Sequence, residues 1–182
     1  VYSNDTSANQ IITITLTGSN DTATITGTSI GAVTEDASAT LAASGQLSVS
    51  DVDSGEAFLI AQSNTSGTYG SFSIDTNGAW TYNATNSNAN IQALKAGQSV
   101  TDSFTVYSND TSANQIITIT LTGSNDTATI TGTSIGAVTE DASATLAASG
   151  QLSVSDVDSG EAFLIAQSNT SGTYGSFSID TN

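Results

Sequence analysis

Carboxylate side chains are the residues of this chain best suited to chemistry, and they recur at a fixed spacing. The segment Asp51-Val52-Asp53 is followed by Glu56, and the same letters return over 156–161. Ca²⁺ takes about six to eight oxygen ligands from carboxylates, amides and carbonyls in flexible geometry. An Asp-x-Asp pair beside a glutamate therefore indicates a calcium site. The EF-hand pattern does not fit, because no Gly or Glu follows at the spacing that loop requires.

The charge balance excludes several classes of function. The chain has 17 acidic residues and one basic residue, Lys95, which gives a formal net charge of −16. Nucleic acids and anionic lipids bind basic patches, so we expect neither as a partner. Self-repulsion among the acids disfavours the folded state unless cations bind. No apolar run approaches the roughly 20 residues that span a bilayer, so we expect no direct membrane insertion.

An enzyme is not expected. The chain has no His and no Cys, which removes the usual nucleophilic triads and most acid–base schemes. Ice binding is suggested by Thr-x-Thr runs over 13–15 and 118–120. We interpret these runs as solvent-facing strand positions, since such a run occurs once in each long repeat.

The elements that must position the acids repeat along the chain. Every residue from Val1 to Asn77 recurs 105 positions later, which is the size of one β-sandwich domain. We expect residues 1–19 to be the last strand of a preceding repeat, 20–124 a complete repeat, and 125–182 the first four strands of the next. The chain has no initiator Met and stops in mid-repeat, so we interpret it as a segment of a longer array. We do not expect 125–182 to be stable alone, because its sheets lack partners.

Alternating apolar and polar residues predict seven short strands in the complete repeat. These cover 22–26 with 30–34 as one broken strand, then 46–50, 57–62, 69–75, 79–83, 100–107 and 115–121. Asn77-Gly78 indicates a hairpin, and a helix is predicted over 90–96 with Asn90 as its N-cap. The expected fold is all-β, with Ig-like or cadherin-like seven-strand Greek-key β-sandwiches joined end to end. The predicted core comprises Leu47, Phe58, Ile60, Phe72, Trp80, Leu94, Phe104 and Ile119.

In such a sandwich, alternate loops lie at the same end, so the acids sort into two groups. At the end that faces the preceding repeat, the expected metal ligands are Asn20, Asp21, Asp51, Asp53 and Glu56. Where the complete repeat meets the next one, they are Glu35, Asp102, Asn125, Asp126, Asp156, Asp158 and Glu161. Asp75 and Asp110 also fall at the first end and Asp36 at the second, but Asp75 and Asp110 suit solvated turns equally well. The predicted cofactor is Ca²⁺.

Several segments together resemble a known family. They are Gly18-Ser19-Asn20-Asp21, Val33-Thr34-Glu35-Asp36, residues 45–53, Tyr69-Gly70-Ser71-Phe72, residues 77–82 and residues 102–106. The combination is similar to the VCBS repeat, a cadherin-like module found in tandem arrays of bacterial surface adhesins, often of the RTX type. By analogy with cadherin junctions, the ligands between modules would be Glu35, Asn125, Asp126, Asp156 and Asp158.

The resemblance implies an extracellular or cell-surface location in a bacterium. It also implies a stalk function that supports adhesion or biofilm, with calcium-rigidified linkers and with neighbouring repeats of the same chain as partners. The linker lacks the Pro expected after Asn-Asp-Thr-Ala, which leaves more of its rigidity to the metal. One alternative stays open, a self-assembling extracellular fibre or matrix filament. In it, residues 1–19 of another copy would supply a strand to 125–182.

Overall fold

Strands with alternating apolar and polar residues form two facing sheets in the middle of the chain. The computed structural model describes residues 1–181. Its strands in this region are β1 (Thr24–Gly27), β2 (Ile30–Thr34), β3 (Thr40–Ser50), β4 (Gln62–Ser66), β5 (Gly70–Ile74), β6 (Ala79–Thr85), β7 (Ser99–Tyr107) and β8 (Asn114–Thr122), and helix α1 (Ala89–Gln92) lies between β6 and β7. The predicted all-β sandwich is confirmed.

The strands divide into a five-stranded sheet, ordered β1-β3-β6-β5-β4, and a three-stranded sheet, ordered β2-β8-β7. All neighbours pair antiparallel except β2 and β8, which pair in parallel with Val33 opposite Leu121. The predicted broken first strand is confirmed, since its halves β1 and β2 join different sheets. Gly27 ends β1 with a φ of 110°. A Cβ there would lie 2.4 Å from the carbonyl oxygen of Gln46, so only glycine fits at this crossing.

The core lies between the sheets and is built from the inward positions of each strand. Phe72 on β5 stacks on Phe104 of β7 with ring centroids 4.7 Å apart, which joins the two sheets. Trp80 is buried, and its indole N–H donates to the carbonyl of Thr28 at 2.8 Å. Burying an aromatic or aliphatic side chain of this size contributes about 1.5–3 kcal/mol. The predicted core residues that are buried are Leu47, Phe72, Trp80, Leu94, Phe104 and Ile119.

The strand predicted over 57–62 is wrong, because this segment makes only one isolated bridge and the regular strand β4 begins at Gln62. Leu59 is fully buried, Phe58 is only half-buried and Ile60 is 40% exposed, so the core assignment of Phe58 and Ile60 is wrong. The reason is a single bridge between Leu59 and Ser108 that turns Leu59 inward. The chain then changes sheets, and regular pairing begins only at β4.

The helix predicted over 90–96 is shorter and starts earlier. Its N-cap is Asn88, not Asn90, because the Asn88 side chain accepts a hydrogen bond from the backbone N–H of Asn90. Beyond Gln92 the chain leaves the helix, since Gly97 and Gln98 pair with Gly123 in the linker. No helix in residues 1–181 has the length and hydropathy needed to cross a membrane.

The flanking copies of the repeat have less regular structure. Residues 1–19 contain an isolated bridge between Tyr2 and Asn9. After the linker, β9 (Thr129–Gly132) pairs with β10 (Leu152–Ser155), and β11 (Gln167–Ser171) pairs with β12 (Ser176–Ile179), as two separate two-stranded sheets. The end of the complete repeat nearest this third piece carries Glu35, α1 and the end of β8.

Candidate metal centres

Three acids from two loops converge where β3 ends and β8 begins. Asp51 directly follows β3, Glu56 lies in the same loop, and Asp110 lies between β7 and β8. One carboxylate oxygen of each lies within 4.8 Å of the other two. Oxygens that bind one Ca²⁺ at about 2.3–2.6 Å stand up to about 5 Å apart, so the spacing fits a shared cation. We call Asp51, Asp53, Glu56 and Asp110 the entry cluster.

Hydrogen bonds shape this loop and tie the linker to it. The backbone N–H of Asp53 donates to Oδ1 of Asp51 at 2.8 Å, and that of Asp21 donates to Oδ2 of Asp53 at 2.7 Å. The amide of Asn20 donates to Oδ2 of Asp110 at 3.0 Å. Asn20 and Asp21 therefore hold the loops in place through these bonds.

The entry cluster contains acceptors that the protein leaves unsatisfied. Oδ2 of Asp51 and Oε2 of Glu56 are buried and accept no hydrogen bond from any residue in 1–181. Burial, followed by the charges of the neighbouring aspartates, raises the pKa of Glu56. Hydrogen bonds from Ser108, Ser112 and Asn20 hold the pKa of Asp110 well below its ordinary range. One acid is thus fixed in its charged form beside another whose charge is disfavoured.

A second acidic cluster crosses the linker into the next repeat. Glu35 follows β2, Asp126 lies in the linker, and Asp158 lies in the loop after β10. The backbone N–H of Asp126 donates to Oδ2 of Asp158 at 2.9 Å, and that of Asp158 donates to Oδ1 of Asp156 at 2.9 Å. These bonds repeat those of the entry loop 105 positions earlier. We call Glu35, Asp36, Asp126, Asp156 and Asp158 the junction cluster.

Two members of the junction cluster are almost completely buried. Glu35 is 3% exposed, and its two oxygens accept from the side-chain amide of Gln92 at 2.8 Å and the backbone N–H of Ser124 at 3.0 Å. Asp158 is 1% exposed, yet its Oδ1 receives no hydrogen bond within the described part of the chain, and neither does Oδ2 of Asp126. A buried carboxylate without a partner is costly, and a cation would satisfy these oxygens.

Raised pKa values also indicate that negative charge is crowded in the junction cluster. Burial is the main cause that raises the pKa of Glu35 and of Asp126. The charges of Asp36 and Asp158 raise both values further. Four carboxylates therefore act on one another across the boundary between two repeats. A divalent cation bound there would offset this repulsion and connect the repeats.

The remaining predicted junction ligands lie at the rim or elsewhere. Asn125 is exposed, and its side-chain amide donates to the carbonyl of Asp126. Glu161 is half-buried and lies 3.7 Å from the ammonium of Lys95, measured from Oε1 to Nζ. Both are close to the junction cluster in sequence, but their side chains contact the linker backbone and Lys95.

Asp102 is not brought to the junction cluster. It is buried on β7, where its carboxylate accepts from the backbone N–H groups of Thr68, Tyr69 and Gly70 at 2.7–3.1 Å. The hydroxyl of Tyr82 donates to the same carboxylate at 2.8 Å. All four donors belong to its own repeat, so Asp102 orders the turn between β4 and β5.

Two cluster members were not among the predicted ligands. Asp110 completes the entry cluster, and Asp36 contributes charge to the junction cluster. Because alternate loops lie at the same end of the sandwich, the sequence already places Asp110 at the entry end and Asp36 at the junction end. The additional signal for Asp110 is the surrounding Ser108 and Ser112, whose hydrogen bonds keep its carboxylate charged.

Comparison with known proteins agrees with the fold. No curated protein is significantly similar to this chain. A family model described as bacterial cadherin-like domain matches residues 20–123, which is more than half of the sequence and includes β1–β8. These residues also contain the entry cluster and contribute Glu35 and Asp36 to the junction cluster. The chain therefore belongs to the bacterial cadherin-like domain family.

Proposed function

We propose that this chain is part of the stalk of a large secreted bacterial adhesin, in which calcium at the junctions stiffens a row of sandwich modules. The observation that carries the proposal is Asp158, whose carboxylate is 1% exposed and keeps an unpartnered oxygen. It lies beside Glu35 of the preceding repeat and Asp126 of the linker. A site that draws ligands from both sides of a linker restrains the angle between modules.

The donor set favours calcium over other metals. The clusters offer only carboxylate, amide and backbone oxygens, since the sequence has no His and no Cys. Such hard ligands select Ca²⁺ or Mg²⁺ rather than zinc or copper. Mg²⁺ demands near-ideal octahedral geometry and keeps its waters, whereas Ca²⁺ tolerates a crowded and irregular set of oxygens. When bound, Ca²⁺ would neutralise the clustered carboxylates and join them.

Each cluster has a distinct set of residues that would hold the ion. At the entry cluster, Asp51, Glu56 and Asp110 are the ligands, since their oxygens already lie within 4.8 Å of one another. At the junction cluster, Asp156 and Asp158 repeat Asp51 and Asp53 of the entry cluster, and Asp126 repeats Asp21 of the linker. Glu35 adds a carboxylate from the preceding repeat.

The role as a spacer follows from the repetition. The copies are identical over every position they share, so they offer the same surface at each step of the array. The family match concerns a cadherin-like domain, a structural and adhesion fold. Together with the VCBS-like segments, this supports an extracellular location and a part in cell adhesion or biofilm. We assign the binding of the adhesion target to a domain outside the repeats.

Calcium removal tests the proposal. Ca²⁺ that binds the folded state alone stabilises it by mass action, so we expect decalcification to lower the melting temperature. Small-angle scattering should show a stiffer particle with calcium than without. The variant Asp156→Asn/Asp158→Asn should lose the stiffening while β1–β8 stay folded, and Asp141→Asn, which changes an exposed acid, is the matched control. Identical melting and scattering with and without calcium would refute the calcium junction.

A second candidate is a self-assembling fibre, favoured by one observation. Ile12, Ile14 and Leu16 are 66–95% exposed, although their counterparts one repeat later, Ile117, Ile119 and Leu121, are buried in β8. Such a segment could pair with a sheet edge of another copy. The scattering experiment separates the two candidates, because a fibre gains mass with protein concentration and a stalk segment does not.

A further inference from the structure

Four consecutive residues of the complete repeat touch the junction at three points. The amide of Gln92 donates to Glu35, and the carbonyl of Ala93 accepts from the backbone N–H of Ser159 at 3.1 Å. Lys95 then faces Glu161 at 3.7 Å. Leu94, which is 4% exposed, anchors the segment in the core between these contacts. Two of these contacts, those of Ala93 and Lys95, therefore join the segment 92–95 to the following repeat.

Lys95 is the only Lys or Arg in the sequence, and it lies at this boundary. Its partner Glu161 repeats Glu56, because the two stand 105 positions apart in identical segments. In the first copy, Glu56 belongs to the entry cluster, with an oxygen close to Asp51 and Asp110. The glutamate at this position of the repeat thus belongs to a candidate metal-binding set in one copy, and it pairs with an ammonium in the other.

We propose that Lys95 is a built-in cation that competes with the metal for Glu161, so that Glu161 pairs with Lys95 when calcium is scarce and binds calcium when it is abundant. This inference rests on the proposed calcium junction and adds a regulation to it. An exposed ion pair of this kind is weak, so a divalent ion can displace it. Its ammonium also repels an arriving Ca²⁺, which raises the calcium concentration at which the junction stiffens.

Calorimetric titration of the whole 182-residue chain with Ca²⁺ tests the competition. The background is Asp51→Asn/Glu56→Gln, which weakens the entry cluster and leaves the junction as the main site. Removing one positive charge close to a divalent ion should tighten binding on the order of threefold to tenfold, so we expect this gain for Lys95→Gln. Lys95→Arg keeps the charge and should stay within about twofold of the parent.

The entry cluster provides an internal control when Asp51 and Glu56 are restored. It lies at the opposite end of β8, a nine-residue strand, and such a strand is about 30 Å long. That separation exceeds the Debye length of about 8–10 Å at physiological salt. Calcium affinity at the entry cluster should therefore be equal in the Lys95→Gln and parent chains.

The outcomes separate the two claims. If the parent background binds no calcium at the junction, the proposed function fails. If it binds calcium and Lys95→Gln leaves the affinity unchanged or weaker, only the competition fails. The gain from Lys95→Gln should shrink when Glu161→Gln is present, because only the repulsion between the ammonium and Ca²⁺ then remains to be relieved. A gain of the same size in that double variant would show a general charge effect and overturn the competition for Glu161.

Discussion

Asp102 shows that an acid in the right place in the sequence can have a purely structural role. It lies near the start of the strand predicted over 100–107 and was predicted to be one more junction ligand. The structure instead buries it, with four donors from its own repeat on its two oxygens. Hydrogen bonds to a charged group are stronger than neutral ones, so this carboxylate stabilises the turn that precedes β5.

Substitution of Asp102 should therefore destabilise the fold with or without calcium. Asp102→Asn replaces an acceptor by a donor in front of backbone N–H groups, and we expect a loss of about 2–4 kcal/mol in the free energy of unfolding. Chemical denaturation in calcium and in chelator measures it. The control is Ser103→Ala, which changes the exposed neighbour on β7. A loss that vanishes in chelator would mean that Asp102 acts through the metal after all.

Single residues were predictable where local chemistry decides their position. Asp51, Asp53 and Glu56 come together because one short loop holds them, and the letters of that loop are visible in sequence. Asp110 joins them from a loop more than fifty residues away, so only the paired sheets fix its distance. Phe58 and Ile60 were misplaced for a related reason, since one bridge to Ser108 sets which neighbour faces inward.

At the scale of elements, identical sequences adopt different structures. Residues 114–122 form β8 between β2 and β7, whereas the same letters over 9–17 form no regular strand. In β8 the alternate apolar residues Ile117, Ile119 and Leu121 are at most 1% exposed. Burial against the other sheet therefore stabilises the strand, and the alternating sequence pattern alone is not sufficient. The strand prediction for 115–121 was right because its partners lie in the same chain.

Gly45 on β3 gives a test of sheet packing. A Cβ at this position would lie 2.5 Å from the indole of Trp80 on the neighbouring strand. Gly45→Ala should force the ring to move and lower the free energy of unfolding by about 1–3 kcal/mol. Trp80 is the only tryptophan, so its fluorescence should shift to the red in the folded variant.

The matched control for this substitution is Gly18→Ala, because no atom lies within 4 Å of a Cβ built at that position. It should leave both the fluorescence and the free energy of unfolding within about 0.5 kcal/mol of the parent. Equal stability of Gly45→Ala and Gly18→Ala would contradict the packing of Trp80 over β3.

At the scale of the whole molecule, the acids other than Asp102 are collected at the ends of the sandwich, while the outward-facing strand positions carry mostly hydroxyl and amide side chains. The net charge of −16 is therefore concentrated where one repeat meets the next. Like charges so placed hold modules apart in the absence of cations, and they bind modules together when a divalent ion is shared. Under the proposed function, the stiffness of such an array would follow the calcium concentration around it.

This arrangement predicts an unusual dependence of stability on pH. Burial raises the pKa of Glu35, Glu56 and Asp126, so the folded state holds these protons more tightly than the unfolded chain. The free energy of unfolding of the calcium-free protein should then fall as pH rises from the ordinary values, 4.5 for Glu and 3.8 for Asp, through the raised values. Asp110 acts oppositely, because its lowered pKa stabilises the fold above 3.8 and loses that effect in stronger acid.

Calcium should reverse the trend, since protons and Ca²⁺ compete for the same oxygens and metal affinity rises as the carboxylates ionise. Thermal unfolding of resin-decalcified protein between about pH 5 and 7.5, with and without added calcium, measures both slopes. The variant Glu35→Gln/Glu56→Gln should flatten the calcium-free slope, whereas Glu140→Gln, an exposed acid beside Asp141, should leave it unchanged. A calcium-free protein that gains stability over this range would contradict the raised pKa values and remove the electrostatic reason for a cation at either cluster.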